Sequence, residues 1–275
     1  MLRKSFSIWS AYDVDLEPED MVLELEKRGI TECELSDEHG DMLLRRGDPE
    51  KTGAAFREFA LGHGVTFPQG HLFLKVRLCS EEVDSVAILT EWIRLFSAVG
   101  VKNAVLHCDG ASFPEGTDDE TKVLANIAKL KELAPAAERY GVRLCLENLG
   151  GPFSSAEKLL RIIEAVGSPA LGICLDTGHL NLNEPGTQVH FIETAGESLH
   201  ALHLADNEGK SDQHMMPFGR GHIDFAEIVK ALDRMNYQDL FNYEIPGERC
   251  PMALRKAKTD YVRQITDYLF GLIGQ

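Results

Sequence analysis

Residues 141–148 read Gly-Val-Arg-Leu-Cys-Leu-Glu-Asn, and residues 172–179 read Gly-Ile-Cys-Leu-Asp-Thr-Gly-His. Each stretch is a short apolar run that ends in a carboxylate. Between them, residues 155–166 space their apolar side chains as a helix does. This strand–helix–strand unit extends in both directions. Strands are predicted at 5–9, 32–35, 65–71, 103–107, 143–148, 172–176, 199–205 and 240–245. Helices are predicted near 17–28, 50–63, 81–98, 119–140, 155–166, 188–196, 225–235 and 252–272. Pro135 is expected to kink or divide the fourth of these. Gly-Val and Gly-Ile pairs, such as Gly64-Val65 and Gly141-Val142, fall where helices should hand over to strands. Strand–helix alternation calls for parallel strands joined by right-handed crossovers. Eight such units in 275 residues fit one closed (β/α)₈ TIM barrel, with a doubly wound open sheet as the alternative. A single domain over residues 1–275 is the economical reading.

The bulk numbers are those of a globular chain, with 44% hydrophobic and 26% charged residues. The net charge of −16 disfavours a nucleic-acid partner, because phosphate backbones are repelled at long range. The six cysteines form no Cys-x-x-Cys pair, and several sit inside apolar runs. Buried free thiols in a reducing compartment account for them. The N-terminus shows no apolar signal segment, and no window is apolar enough to span a membrane. A soluble, cytoplasmic protein is expected.

Function in a barrel gathers at the C-terminal strand ends. The strands here end on Trp9, His71, His107, Glu147, Asp176, His203 and Glu244. Glu147, Asp176, His203 and Glu244 come from four successive strands, spaced by 29, 27 and 41 residues, close to one βα repeat. They should converge on one divalent ion. Carboxylates with one imidazole suit Mn²⁺ or Zn²⁺, and Co²⁺ or Mg²⁺ remain candidates. His179 is expected on a loop over that site. Of His200 and His203, three apart on one strand, only one can face inward, and His203 is chosen. The long segment 206–224 carries Asp212, His214, Arg220 and His222. Asp212 and His214 could add a metal ligand or grip a polyol, and Arg220 could meet a carboxylate or phosphate. His71 and His107 could line the pocket, and Trp9 could wall it. Asp224 should cap the next helix.

Taken together, Cys-Leu-Glu147-Asn, Leu-Asp176-Thr-Gly-His179, Leu-His203-Leu-Ala-Asp, Asp212-Gln-His214 with Gly219-Arg-Gly, and Tyr-Glu244 resemble the xylose isomerase-like TIM-barrel superfamily. It includes ketose 3-epimerases, hydroxypyruvate isomerase, inosose dehydratase and zinc-dependent apurinic-site endonucleases. The resemblance implies that Glu147, Asp176, His203 and Glu244 hold one ion, commonly manganese. It also implies that the two glutamates act as an acid–base pair. In the endonucleases, residues matching His71, His107, His179, Asp212 and His214 bind further zinc. Arg220 stands where many relatives carry an acid. The resulting expectation is an isomerase or epimerase of a ketose or polyol-derived ketone, working by proton abstraction through a metal-stabilised enediolate. His179, His71, His107, His214, Arg220 and Trp9 would contact substrate. The alternatives are a lyase or dehydratase with the same site and, further off, a zinc endonuclease. A homo-oligomer is possible.

Overall fold

A computed structural model of the chain describes residues 2–8, 13–246 and 251–274. Eight strands run β1 (Phe6–Ile8), β2 (Glu32–Leu35), β3 (Thr66–His71), β4 (Asn103–His107), β5 (Arg143–Glu147), β6 (Leu171–Asp176), β7 (Leu199–His203) and β8 (Phe241–Tyr243). The helices between them are α1 (Pro18–Lys27), α2 (Asp37–Leu44), α3 (Pro49–Gly62), α4 (Ser85–Val99), α5 (Asp119–Tyr140), α6 (Ala156–Val166), α7 (Thr177–Asn183), α8 (Gln188–Ala195), α9 (Phe225–Arg234) and α10 (Met252–Gly271).

Strands β2 to β7 form one parallel sheet in chain order, and β1 pairs in parallel with β8. The two parts join into the TIM barrel. On one side Leu204 donates to the Asn242 carbonyl and Glu244 donates to the Leu204 carbonyl. On the other, the Ser7 hydroxyl takes the Glu34 amide and donates to Cys33 Sγ. All eight expected strands are present, so the open-sheet alternative falls.

Side chains alternate along each strand, so every second residue points into the barrel. The register stacks them in layers. His107 lies opposite Glu147, and Asp176 lies opposite His203, at the C-terminal end. Beneath them Val105, Cys145, Cys174 and Ala201 form a fully buried apolar plug. Asn103 and Arg143 close the bottom. Most of the apolar core lies outside the barrel, between strands and helices.

Local chemistry explains the element ends. Asp84, Asp118 and Asp224 each cap a helix by accepting an amide three residues on. Gly141 ends α5 with φ 65°, a conformation that a side chain would strain. Pro135 does not divide α5. It is exposed, as is Lys131, whose carbonyl loses its helical partner there and can turn to water. Two helices were not expected from the sequence. α2 starts on the Ser36 hydroxyl, which accepts the His39 amide at 3.3 Å, and α7 starts directly at the end of β6. No helix among the described residues is long and apolar enough to cross a membrane. Cys33, Cys108, Cys145 and Cys174 are buried free thiols, and Cys79 is half-buried.

Candidate metal centre

Asp176 shows how local folding builds the site. Its Oδ1 accepts the His179 amide at 2.6 Å and so caps α7. This places His179 in the first turn of a helix rather than on a loop, because the cap lets the strand turn straight into helix. The Asn148 side chain grips the Asp176 backbone from both sides, at 2.7 and 2.9 Å. With Oδ1 and the backbone thus occupied, Oδ2 is left facing the barrel mouth without a hydrogen bond.

His203 is held in the same way. Its Nε2 donates to Glu34 Oε2 at 3.0 Å, and Gln69 and Asn242 donate to that same oxygen. His203 Nδ1 is thereby aimed at the mouth, 3.4 Å from Glu147 Oε2 and 3.5 Å from Glu244 Oε2. His179 Nδ1 lies 3.0 Å from Glu147 Oε1 and 3.8 Å from Asp176 Oδ2. Four buried polar atoms, Asp176 Oδ2, His179 Nδ1, His203 Nδ1 and Glu244 Oε2, have no hydrogen-bond partner. Leaving one such group unpaired costs about 1–3 kcal/mol, so four together point to something else that binds them. Donor atoms of Asp176, His203 and Glu244 lie within 4.8 Å of one another, as do those of Glu147, Asp176 and His179. Ligands about 2.1 Å from a common ion stand roughly 3–3.5 Å apart, so the spacings and the donor types fit a divalent cation.

The outer residues form a second ring. His107 Nε2 lies 3.0 Å from Glu147 Oε2, and His71 Nε2 lies 3.7 Å from the same oxygen. His71 Nδ1 donates to the Leu72 carbonyl, which leaves Nε2 turned inward. Asp212 Oδ2 lies between His179 Nε2 at 3.3 Å and His214 Nε2 at 2.9 Å. His214 Nδ1 donates to the Glu244 carbonyl. His214 has φ 43°, an uncommon value for a side-chain-bearing residue, held here by contacts on both ring nitrogens.

The segment after β7 is anchored beneath this ring. Asp206 is buried and pairs antiparallel with Met215, and its Oδ1 accepts the amides of Asn207 and Ile223. A Cβ on Gly221 would lie 2.0 Å from the Asp206 carboxyl, so only glycine allows the loop to close there.

The charges differ sharply between the two glutamates. Burial works to raise the Glu147 carboxyl, but the imidazoles of His107, His203 and His179 overcome it and hold the group well below its usual range. Burial pushes Glu244 up to about 8, with His203 opposing and the carboxylates of Asp176 and Glu147 assisting. His179 is pushed up to about 12, because the bond to Asp212 and the adjacent carboxylates of Glu147 and Asp176 outweigh its burial. Asp212 raises His214 to about 9. Without an ion, the two glutamates are thus shifted in opposite directions by their surroundings.

The structure brings together Glu147, Asp176, His203, Glu244, His179, His71, His107, Asp212 and His214. It does not bring in Arg220, which is exposed and paired with Glu208 at 2.9 Å. The expected substrate contact of Arg220 is corrected on that ground: Glu208, on the same loop, captures the guanidinium at the surface. Trp9 lies outside the described residues. His200 bonds Asp239 at 2.9 Å and lies at the N-terminal end of the barrel, next to Arg143 and Gly172; a register irregularity between β6 and β7 breaks the simple alternation there, so distance along the strand rather than facing keeps it from the site. Glu34 is the residue that sequence reading passed over. Its signal was a carboxylate in the middle of a buried four-residue strand, where charge persists only if it is bound.

Residues 22–269 match the family model for the xylose isomerase-like TIM barrel, and the chain belongs to that family. Among curated proteins it is 34% identical over 179 residues to an uncharacterized protein of Sinorhizobium fredii, covering 60% of this chain and 54% of that one. It is 28% identical to a D-psicose 3-epimerase of Enterocloster bolteae over 66% of this chain and 62% of that one. It is 27% identical to an L-ribulose 3-epimerase of Mesorhizobium japonicum over 86% and 78%. The chain thus spans about half to six-tenths of the length of the first two of these relatives. Its fold is similar to a crystal structure of D-psicose 3-epimerase in the presence of D-fructose, with TM-score 0.78 and 17% identity over 98% of this chain and 100% of the other. The relatives with assigned activities include ketose 3-epimerases and inosose isomerases.

Proposed function

We propose that this protein is a divalent-metal-dependent isomerase or epimerase of a ketose or a related polyol ketone. Glu147, Asp176, His203 and Glu244 would hold one ion, with Mn²⁺ or Zn²⁺ best suited to the mixed donor set. The observation that carries the reading is the buried, unpartnered atoms Asp176 Oδ2, His203 Nδ1 and Glu244 Oε2, on three residues whose donor atoms lie within 4.8 Å of one another. The ion, when bound, would polarise a substrate carbonyl and so acidify the neighbouring C–H.

Glu147, held ionised by its imidazoles, takes that proton. Glu244, ionised when it ligates the ion, would return a proton taken from solvent to the opposite face of the enediolate. In the reverse direction the roles exchange, because the same barrier is crossed backwards. His179, fixed by Asp212, orients a substrate oxygen, and His107 keeps the Glu147 carboxylate in place. Elimination of a β-substituent after the same proton abstraction would make the protein a lyase, so product analysis accompanies the test. The free buried thiols suit a cytoplasmic setting.

Glu147→Gln and Glu244→Gln are each expected to slow exchange of the substrate α-hydrogen with deuterated solvent by about 10²–10⁴-fold, the usual worth of a positioned proton acceptor or donor. Full exchange in either variant would remove that residue from the proton-transfer role.

A second reading has one observation in its favour. Asp212 between His179 and His214, with His71 and His107 on Glu147, supplies ligands for further ions and so for a multinuclear zinc hydrolase. The net charge of −16 weighs against a nucleic-acid substrate. Elemental analysis separates the two, with one ion per chain expected here and about three for the rival.

A further inference from the structure

The segment between β7 and α9 opens as a hairpin. Asp206 and Met215 exchange both backbone hydrogen bonds, each at 2.8 Å. The next hydrogen-bonded pair in that antiparallel register would be Glu208 with Gln213. Among the described residues no backbone hydrogen bond joins them. His214, which separates Gln213 from the bridge, takes φ 43° and turns the chain out of the strand direction. That turn carries the His214 imidazole to the Glu244 carbonyl at 2.9 Å and brings Asp212 back to His179 at 3.3 Å.

The Gln213 side chain supplies what the backbone does not. Its Oε1 accepts the Glu208 amide at 2.8 Å, and its Nε2 donates to Glu208 Oε2 at 3.2 Å. One carboxamide, with a donor and an acceptor, thus stands in for the paired peptide unit. Arg220 holds the same Glu208 carboxylate, with Nη2 at 2.9 and 3.0 Å from its two oxygens. Arg220 is delivered there by its neighbour Gly221, which packs on Asp206, so both arms of the clamp start from one buried residue. Gln213 and Arg220 are exposed, and their hydrogen bonds go to Glu208 rather than to the metal centre.

We infer that Gln213 and Glu208, backed by Arg220, are positioning residues: their side-chain clamp replaces the interrupted ladder and so sets Asp212 against His179 and His214 against Glu244. A left-handed conformation at a residue with a side chain costs free energy, so the turn persists only while its surroundings hold it. The ring contacts of His214 hold it from within, and the clamp closes the loop around it. Arg220 thereby acts on the site from the far side of the loop, without touching substrate. Only the catalytic consequence rests on the epimerase reading; the clamp stands apart from it.

The test compares the wild type with Gln213→Leu, which removes both bonds of the clamp, and with the exchange Glu208→Gln/Gln213→Glu, which rebuilds them with the partners reversed. Two readouts need no substrate. Trypsin cleavage after Lys210, exposed inside the clamped turn, is expected to quicken about tenfold in Gln213→Leu. In proton–nitrogen NMR spectra of the histidine rings, the His214 Nδ1–H signal is protected by its bond to the Glu244 carbonyl and is expected to disappear in that variant. The exchange variant should restore both. Unchanged cleavage, or a His214 signal that persists in Gln213→Leu, would overturn the inference. With manganese loaded and D-fructose as probe, kcat for solvent deuterium exchange is expected to fall about tenfold in Gln213→Leu and to recover in the exchange variant, with manganese affinity and Tm unchanged in both. An unchanged kcat, or a fall matched by a lower Tm, would overturn the positioning role. Absence of exchange in the wild type would count against the epimerase reading and leave the two substrate-free readouts to decide the clamp.

Discussion

The two ends of this barrel are both polar and both largely withdrawn from water, yet they are organised in opposite ways. At the N-terminal end Asn103 donates to the His200 carbonyl and to Asp239 at 2.8 and 2.9 Å, Arg143 donates to Asn103 at 3.0 Å, and His200 meets Asp239 at 2.9 Å. Each of those interactions closes on another side chain or carbonyl. At the C-terminal end four buried atoms are left over after every neighbour has been counted. A closed polar network fixes strands relative to one another. An open one stores unmet bonding capacity, which only a ligand can satisfy. Polarity inside a barrel is therefore no guide to function by itself; whether its bonds are completed is.

That contrast can be broken at several points. The largest effect is expected at the open end. Glu34→Gln removes the charge that orients His203, and metal affinity measured by competition with a chelator should fall about 10–100-fold, as partners of ligating histidines usually cost. Unchanged affinity would show that His203 is oriented without Glu34. At the closed end, Asn103→Ala leaves Asp239, Arg143 and the His200 carbonyl each short of a partner. Folding stability in a denaturant titration should drop by about 1–3 kcal/mol with metal affinity unchanged. A loss of metal binding with no loss of stability would reverse the roles assigned to the two ends.

The smallest effect is a matter of protons. Glu244 is raised from 4.5 to about 8 in the folded protein, so between those values the native state holds a proton that the unfolded chain has released. His179 and His214 are raised above 6.5, to about 12 and about 9. The stability they add is complete below 6.5 and is lost as pH rises through the folded values. All three shifts have the same sign, so the metal-free protein should lose stability from about pH 5 upward. Cation binding, which requires a bare carboxylate and neutral imidazoles, should release protons at pH 7 and flatten that slope. Calorimetry in buffers of different ionisation enthalpy measures the release. A proton count of zero would show that the site is already ionised before the ion arrives.

Much of this was legible in the order of residues. The eight strands fall within a residue or two of the positions implied by apolar runs and Gly-Val junctions, because a parallel barrel strand is buried on both faces and shows as an uninterrupted apolar stretch. The strand-end carboxylates and histidines were equally plain, since charge rarely ends a buried run without a reason. α2 and α7 were missed. Eight and seven residues are too few for helical periodicity to show, and both begin on side-chain caps, Ser36 and Asp176, that also read as turn residues. Arg220 looked like a ligand-binding cation because its partner, Glu208, lies twelve residues back and comes close only when the loop folds.

By itself, the sequence determined which residue types reach the rim and in what order around it, because parity and repeat length are properties of the chain. Only the tertiary structure decided which of their atoms remain free. Asp176 presents one oxygen because the other caps α7. His203 presents Nδ1 because Glu34, far away in the chain, holds Nε2. A hydrogen bond is made between neighbours in space, so the atoms left without one can be counted only after folding has chosen the neighbours.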